Sequence, residues 1–370
     1  MGGHAVTDTR DETVLTVEQP GNRLSWRSTS WILAVFVGIM LGALMGVIHL
    51  PYAILQPGPV TNTLGNGPGG KPLITVAGTA TYPTTGALDF TTVAVLGGPT
   101  NPVNGWEWLS AQLDHTNTVV PEDELFPKGV TSKQVDHEGA AEMADSQQEA
   151  IAVALRALGQ TVPEVVSIGS LTKDSPAQGV LLADDVVVSI DGKTITNPDS
   201  VRAAIRAHKP GESAVFKVRR KGKEQVLTVK TANVAGHAVV GILLRTEFVF
   251  PTKVSINAGD VGGPSAGLMF SLAVYDKLTP GSLTGGANIA GTGTIDSAGN
   301  VGPIGGIQQK LVGAKRGGAM WFLAPADNCN EVMGHIPDGL RVVKVATFNQ
   351  SRDAVELIAA KRGASLPTCR

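Results

Sequence analysis

Gly262-Gly263-Pro264-Ser265-Ala266-Gly267-Leu268-Met269-Phe270-Ser271-Leu272-Ala273-Val274-Tyr275 is the stretch on which the reading of this chain turns. Two glycines and a proline deliver a serine to the head of an apolar run. That run predicts a helix with Pro264 in its first turn, where a missing N–H costs nothing. Unpaired N–H groups and the positive end of the helix dipole would surround Ser265 there. Such groups ease ionisation of a hydroxyl and stabilise the oxyanion of a tetrahedral intermediate. An ordinary N-cap serine has the same local sequence, so a proton acceptor must decide between the two readings. None of the seven histidines (His4, His49, His115, His137, His208, His237, His335) stands in a recognisable triad context. Downstream, Gly299-Asn300-Val301-Gly302-Pro303-Ile304-Gly305-Gly306-Ile307-Gln308-Gln309-Lys310 leads into a second helix. Ile307 and Leu311 flank Lys310, and burial among them would disfavour its charged form. A lone lysine on a helix is ordinarily a solvated charge, so its pairing with Ser265 carries the reading.

Pro-Ser-Ala-Gly followed 310 − 265 = 45 residues later by the lysine of Val-Gly-Pro-Ile-Gly-Gly-Ile-x-x-Lys resembles the Lon-type Ser–Lys proteolytic domain. The resemblance implies Ser265 as nucleophile and Lys310 as general base. It also implies that Thr292, in Gly291-Thr292-Gly293, orients the lysine. Ala314-x-x-x-Gly318 and Phe322-Leu323-Ala324-Pro325 continue the likeness, and Leu73-Ile74-Thr75-Val76, Gly86-x-Leu88 and Met143-Ala144-Asp145-Ser146 extend it upstream. One departure is Gly262, where Lon itself has Asp two residues before the proline; altered self-regulation, with activity kept, is the expectation.

Between these halves, Val165-Val166-Ser167-Ile168, Asp174-Ser175-Pro176-Ala177, Gly179-Val180-Leu181, Asp185-Val186-Val187 and Ile190-Asp191-Gly192 precede a helix over 199–207 and a hairpin. Their order resembles a PDZ domain of the bacterial protease-associated kind, departing at Ala183-Asp184, where Gly-Asp is usual. Such a domain captures an extended peptide as an added strand. The expected edge is Val162, Val165, Val166 and Ile168. The fold expected is therefore α+β: a Lon-type domain over 73–159 and 236–370, with a PDZ domain inserted at 160–235.

From Trp31 to Leu50, twenty residues carry no charge, the length a helix needs to cross a bilayer core. No small-x-small cleavage site follows, so an uncleaved anchor is expected over 31–50, with 51–72 a linker. Arg23 and Arg27 precede the run and no Lys or Arg follows until Lys71, which puts residues 1–30, polar and disordered, in the cytoplasm and the remainder outside. Gly65-x-x-x-x-Gly70-Lys71 has the skeleton of a phosphate loop, but Pro72 stands where a Ser or Thr is needed. No nucleotide, metal or other cofactor is expected, nor any ATPase unfoldase, so substrates would arrive unfolded or as exposed segments. A net charge of -2 gives no footprint for nucleic acid, and Arg219-Arg220-Lys221-Gly222-Lys223 reads as a solvated hairpin turn.

The sequence thus points to a serine endopeptidase acting on protein and peptide substrates. A non-catalytic peptide-binding scaffold on the same fold is the alternative, and a homo-oligomer is compatible with either. The two cysteines, Cys329 and Cys369, would lie in an oxidising compartment, where disulfides persist. A bridge between them would close a loop of 369 − 329 = 40 residues, worth roughly 4 kcal/mol by chain entropy alone. Pairing between molecules and two unrelated thiols stay open.

Overall fold

A computed structural model describes residues 1–2, 26–99, 101–127 and 129–369. The expected disordered tail, Arg23 included, therefore lies for residues 3–25 outside the described residues. Helix α1 (Trp26–Val47) carries the charge-free run, with Ile32, Leu33, Phe36 and Ile39 exposed. It ends short of residue 50 because Pro51 disfavours helical backbone at Leu50; His49 and Leu50 instead form strand β1 (His49–Leu50).

The expected linker 51–72 is mostly strand: β2 (Tyr52–Asn62) lies inside a sheet, with Ala53 and Ile54 fully buried. It contains Pro57 and Pro59, residues that a regular ladder excludes. They fall where the pairing shifts register, between Pro57 and Val60, so their missing N–H groups interrupt no regular ladder. After Gly65–Lys71 comes β3 (Ile74–Ala77), so the phosphate-loop skeleton opens onto a strand and not a helix. Strand β4 (Ala87–Leu96) follows. The chain then passes through β5 (Val103–Asn104), α2 (Gly105–Leu113), β6 (Thr118–Pro121) and α3 (Glu122–Leu125) into α4 (Ser132–Ala157). Side-chain caps set these helices: Asn104 with Glu107 closes a capping box on α2, and Thr131 with Gln134 does so on α4.

A second unit follows: β7 (Glu164–Leu171), β8 (Val186–Ile190), β9 (Lys193–Thr194), α5 (Pro198–Arg206), β10 (Ser213–Arg220), β11 (Lys223–Lys230), β12 (Ala232–Val234), β13 (His237–Val239) and β14 (Ile242–Phe248). Its sheet runs β11-β10-β8-β7-β14, with β9 on β8, over a core that includes Ile168, Leu181, Ile190 and Phe216. The basic run turns between β10 and β11 at Lys221-Gly222, both with positive φ. Two expectations change here. The unit continues past residue 235 to the end of β14. And β7 is not an edge: β14 pairs along it from Leu171 to Glu164 and β8 lies on its other side. Val166 and Ile168 are buried in the unit's core, Val165 faces Glu247 within the ladder, and Val162 packs in the neighbouring core. None of the four offers a free backbone edge to a peptide.

The chain then returns through β15 (Lys253–Ile256), α6 (Gly267–Leu278), β16 (Asn288–Gly291), β17 (Thr294–Ile295), β18 (Val301–Gly302), α7 (Ile307–Arg316), β19 (Trp321–Pro325), α8 (Cys329–Val332), β20 (Arg341–Val345) and α9 (Phe348–Ala359). One sheet, β20-β19-β16-β4-β2-β6, unites both halves of the chain around the inserted unit. Strands β4, β16, β19 and β20 are parallel, and β2 and β6 add antiparallel. Leu88, Phe90, Ile289 and Leu323 face α4, α6 and α9; Ala290, Phe322 and Ala324 face α7 and α8. With helices on both faces of a mostly parallel sheet, the architecture is mixed α/β, which α+β did not describe. Cys329 and Cys369 are bonded to each other, Cα–Cα 4.9 Å, tying the C-terminal tail to the start of α8.

Candidate active site

Ser265 sits on the turn between β15 and α6, two residues before the helix begins, so Pro264 precedes the first turn instead of occupying it. Two parts of the chain hold that turn. From α4, Gly139 O accepts from Gly263 N–H at 2.9 Å and Ser146 Oγ donates to Pro264 O at 2.9 Å. From the segment after β16, Gly293 N–H and Thr292 Oγ1 both donate to Ser265 O, at 2.8 and 3.0 Å. The Gly of Ser-Ala-Gly is required by this closeness: a Cβ on Gly267 would stand 2.7 Å from Ser146 Oγ and 2.8 Å from Ile295 Cγ2. Sequence reasoning quoted Ser146 only as part of a family likeness and missed its bracing role, because α4 and the turn are 118 residues apart.

Helix α7 brings in the lysine. Gly306 caps it at φ +67, a conformation suited to glycine, and Lys310 lies one turn in. Only 3% of Lys310 is exposed. Its Nζ is 2.7 Å from Ser265 Oγ and 3.0 Å from Thr292 Oγ1. Ile307 and Leu311, both fully buried, flank it, and burial pushes the Lys310 amine down to about 7. Thr292 spends its own proton on Ser265 O and so presents lone pairs to the lysine. The structure thus brings Ser265, Lys310 and Thr292 into one contact group, beside a cleft of about 380 Å³ lined in part by Phe90, Thr92, Val93 and Gly305. Among the described residues no group of three or more His, Cys, Asp or Glu is arranged to hold a metal ion.

The inserted unit has its own groove, of about 640 Å³, between α5 and β14. Val201 and Ile205 line one wall, Ile242 and Leu244 the other. Strand β14 ends the sheet on that side, so its outer backbone edge has no partner within that sheet.

Comparison with known proteins gives two family matches. Residues 252–358 match the Lon protease (S16) C-terminal proteolytic domain, and residues 135–231 match the PDZ domain family. The chain carries both domains, and the first supports a serine peptidase of the Lon family. The chain is 28% identical over 200 residues to Lon protease 2 of Bacillus subtilis (strain 168), covering 52% of this chain and 33% of that protein. It is 34% identical over 113 residues to the Lon protease of Solibacter usitatus (strain Ellin6076), covering 28% and 14%. The chain thus spans a third or less of the length of these relatives. Among solved structures, the PDZ domain of an SdrC-like protein from Listeria innocua aligns at 29% identity over 22% of this chain and 92% of that one, with a TM-score of 0.21. The PDZ match takes in α4, which packs in the proteolytic core, and stops before β14, which completes the PDZ sheet.

Proposed function

We propose that this chain is a membrane-anchored serine endopeptidase, acting without ATP on flexible or unfolded extracytoplasmic and membrane proteins. Its nucleophile is Ser265, its base Lys310, and Thr292 positions the base. The 2.7 Å contact between Ser265 Oγ and an almost fully buried lysine amine carries the reading. With Lys310 neutral, Ser265 Oγ–H gives its proton to Nζ as Oγ attacks the scissile carbonyl. The turn leading into α6, whose Ser265 and Ala266 line the cleft, would supply backbone N–H groups to the oxyanion that forms. The ammonium of Lys310 then protonates the leaving amine as the C–N bond breaks, leaving an acyl-serine. Water, losing a proton to Nζ, attacks that ester and releases the acid, and the proton returns to Ser265 Oγ.

Two further features support the substrate class. Strand β16 pairs with β4 only as far as Phe90, and Thr92 and Val93 continue along the cleft, where an extended segment could lie. The α5–β14 groove suits capture of a peptide as an added strand on β14, remote from the scissile bond. An extracytoplasmic location is supported by Arg27 ahead of the apolar helix and by the Cys329–Cys369 bond.

The test is cleavage of an unfolded protein by the full chain and by Ser265→Ala, Lys310→Ala and the double variant. Each single change should abolish cleavage without altering thermal unfolding grossly, and the double should be hardly worse, because members of one catalytic unit are non-additive. Full activity in Lys310→Ala overturns the dyad; no cleavage by the intact chain would favour the scaffold reading.

A further inference from the structure

The apolar helix α1 does not end free of the folded domain, and what it touches has an apolar face of its own. Trp106, second residue of α2, donates its indole N–H to the carbonyl of Gly42 at 2.9 Å. Its ring lies over Gly42 and Gly46, where an added Cβ would sit 3.6 and 3.9 Å from ring carbons. At Gly105 a Cβ would meet Met45 Sδ at 2.8 Å, and β1 pairs with β5 through His49↔Asn104 and Leu50↔Val103. The domain is thus seated on α1.

Gly42 is 47 − 42 = 5 residues before the last residue of α1, which at 1.5 Å per residue is about 7.5 Å down the helix. An interfacial helix buries its apolar face about 5–10 Å into the headgroup and acyl boundary. Helix α2 has such a face. Trp106, Leu109 and Leu113, at i, i+3 and i+7, form one stripe and are 51%, 37% and 74% exposed. The opposite side is spoken for: Trp108 and Ala111 pack with Ile54 and Val103. Glu107, the one acidic residue between the two faces on α2, is folded back onto Asn104 N–H by the capping box.

We propose that α2 is a membrane-interface helix, with Trp106, Leu109 and Leu113 immersed in the outer leaflet of the bilayer that α1 crosses. This rests on the reading of α1 as a membrane anchor. The occupant is lipid because the stripe is continuous with α1, at a depth that the Trp106–Gly42 bond sets. Tryptophan suits the place, with its ring in apolar surroundings and its N–H satisfied. The consequence is a proteolytic domain held at the membrane surface in one orientation.

The test places a nitroxide label at position 113 (Leu113→Cys) of the full chain in phosphatidylcholine nanodiscs, with the native Cys329–Cys369 bond left intact. Ile39→Cys reports the middle of α1, and Val226→Cys, exposed on β11, is the aqueous reference. Collisions with oxygen should outweigh those with a water-soluble nickel chelate at 113 and at 39, and the ratio should reverse at 226. A water-like ratio at 113 with a lipid-like one at 39 overturns this proposal alone. Water-like ratios at both positions overturn the anchor as well. Dipolar broadening at 113 that vanishes when labelled protein is diluted with unlabelled protein would mean that a second copy, not lipid, covers the stripe, and would also overturn it.

Discussion

Lys310 has no carboxylate partner in its contact group; two hydroxyls and apolar side chains surround it, and burial alone lowers its pKa to about 7. In the proposed mechanism the base is the neutral amine, whose population grows as pH rises through that value. The pH profile of kcat/KM should therefore climb about tenfold per unit below pH 7 and level off above it. A profile flat from pH 5 to 9 would remove Lys310 from the role. Thr292→Val keeps the shape of the side chain but removes both the lone pairs facing Nζ and the proton given to Ser265 O. We expect kcat to fall roughly a hundredfold with little change in KM, and the pH limb to move, since the amine loses a partner. An unchanged pH limb would mean that Thr292 serves only packing. Ser265, Lys310 and Thr292 were legible as candidates because the motifs around them resemble the Lon-type domain; no local rule sets a separation of 310 − 265 = 45 residues. Ser146 was not, because nothing near it in sequence shows that its hydroxyl caps the carbonyl of Pro264.

At the scale of elements, the strand proposed to take up a peptide is β14, since β7 is paired on both sides. Local alternation correctly suggested a strand at 165–168, but an edge is defined by what does not pair, and the partner lies 246 − 166 = 80 residues on, at Thr246↔Val166. A register so distant leaves no mark within a short window. Strand β2 was missed for the opposite reason, since a local signal, two prolines, concealed a strand that tolerates them at a bulge. The corrected groove gives a sharper test than removing residues 160–235, which would leave β14 without its neighbour β7. Ile242→Gln alters a partly exposed groove wall while leaving the buried core of the unit intact. Cleavage of a protein substrate should show KM raised roughly tenfold, the effect of about 1.4 kcal/mol of lost binding. Hydrolysis of a peptide too short to span both sites should stay unchanged. Equal loss on both substrates would mean that the groove matters only for folding.

Across the whole molecule, the two units meet at a cavity of about 710 Å³ whose walls include Glu149 of α4, Glu164 of β7 and Asp296 of the turn after β17. Arg156 fastens the junction, bonding Glu164, Val162 O and Ser297 O at 2.9, 2.7 and 2.6 Å. That leaves Glu149 facing acids: burial first, then Asp296, Asp145 and Glu164, push its carboxyl up to about 7. The folded state therefore holds a proton between pH 4.5 and 7 that the unfolded chain releases, and the stability this proton supplies is lost as pH rises through 7. Replacement by an uncharged isostere should remove the loss. Glu149→Gln is expected to raise stability at pH 8 by about 1 kcal/mol, after discounting for the carboxyl's partial exposure. Thermal unfolding should then shift up by roughly 2 °C at pH 8 and hardly at all at pH 4, where both side chains are neutral. An equal shift at the two pH values would trace the gain to packing and not to the charge at the junction. A fall at pH 8 would mean that ionised Glu149 has a cationic partner there, and that the two units are held together by it.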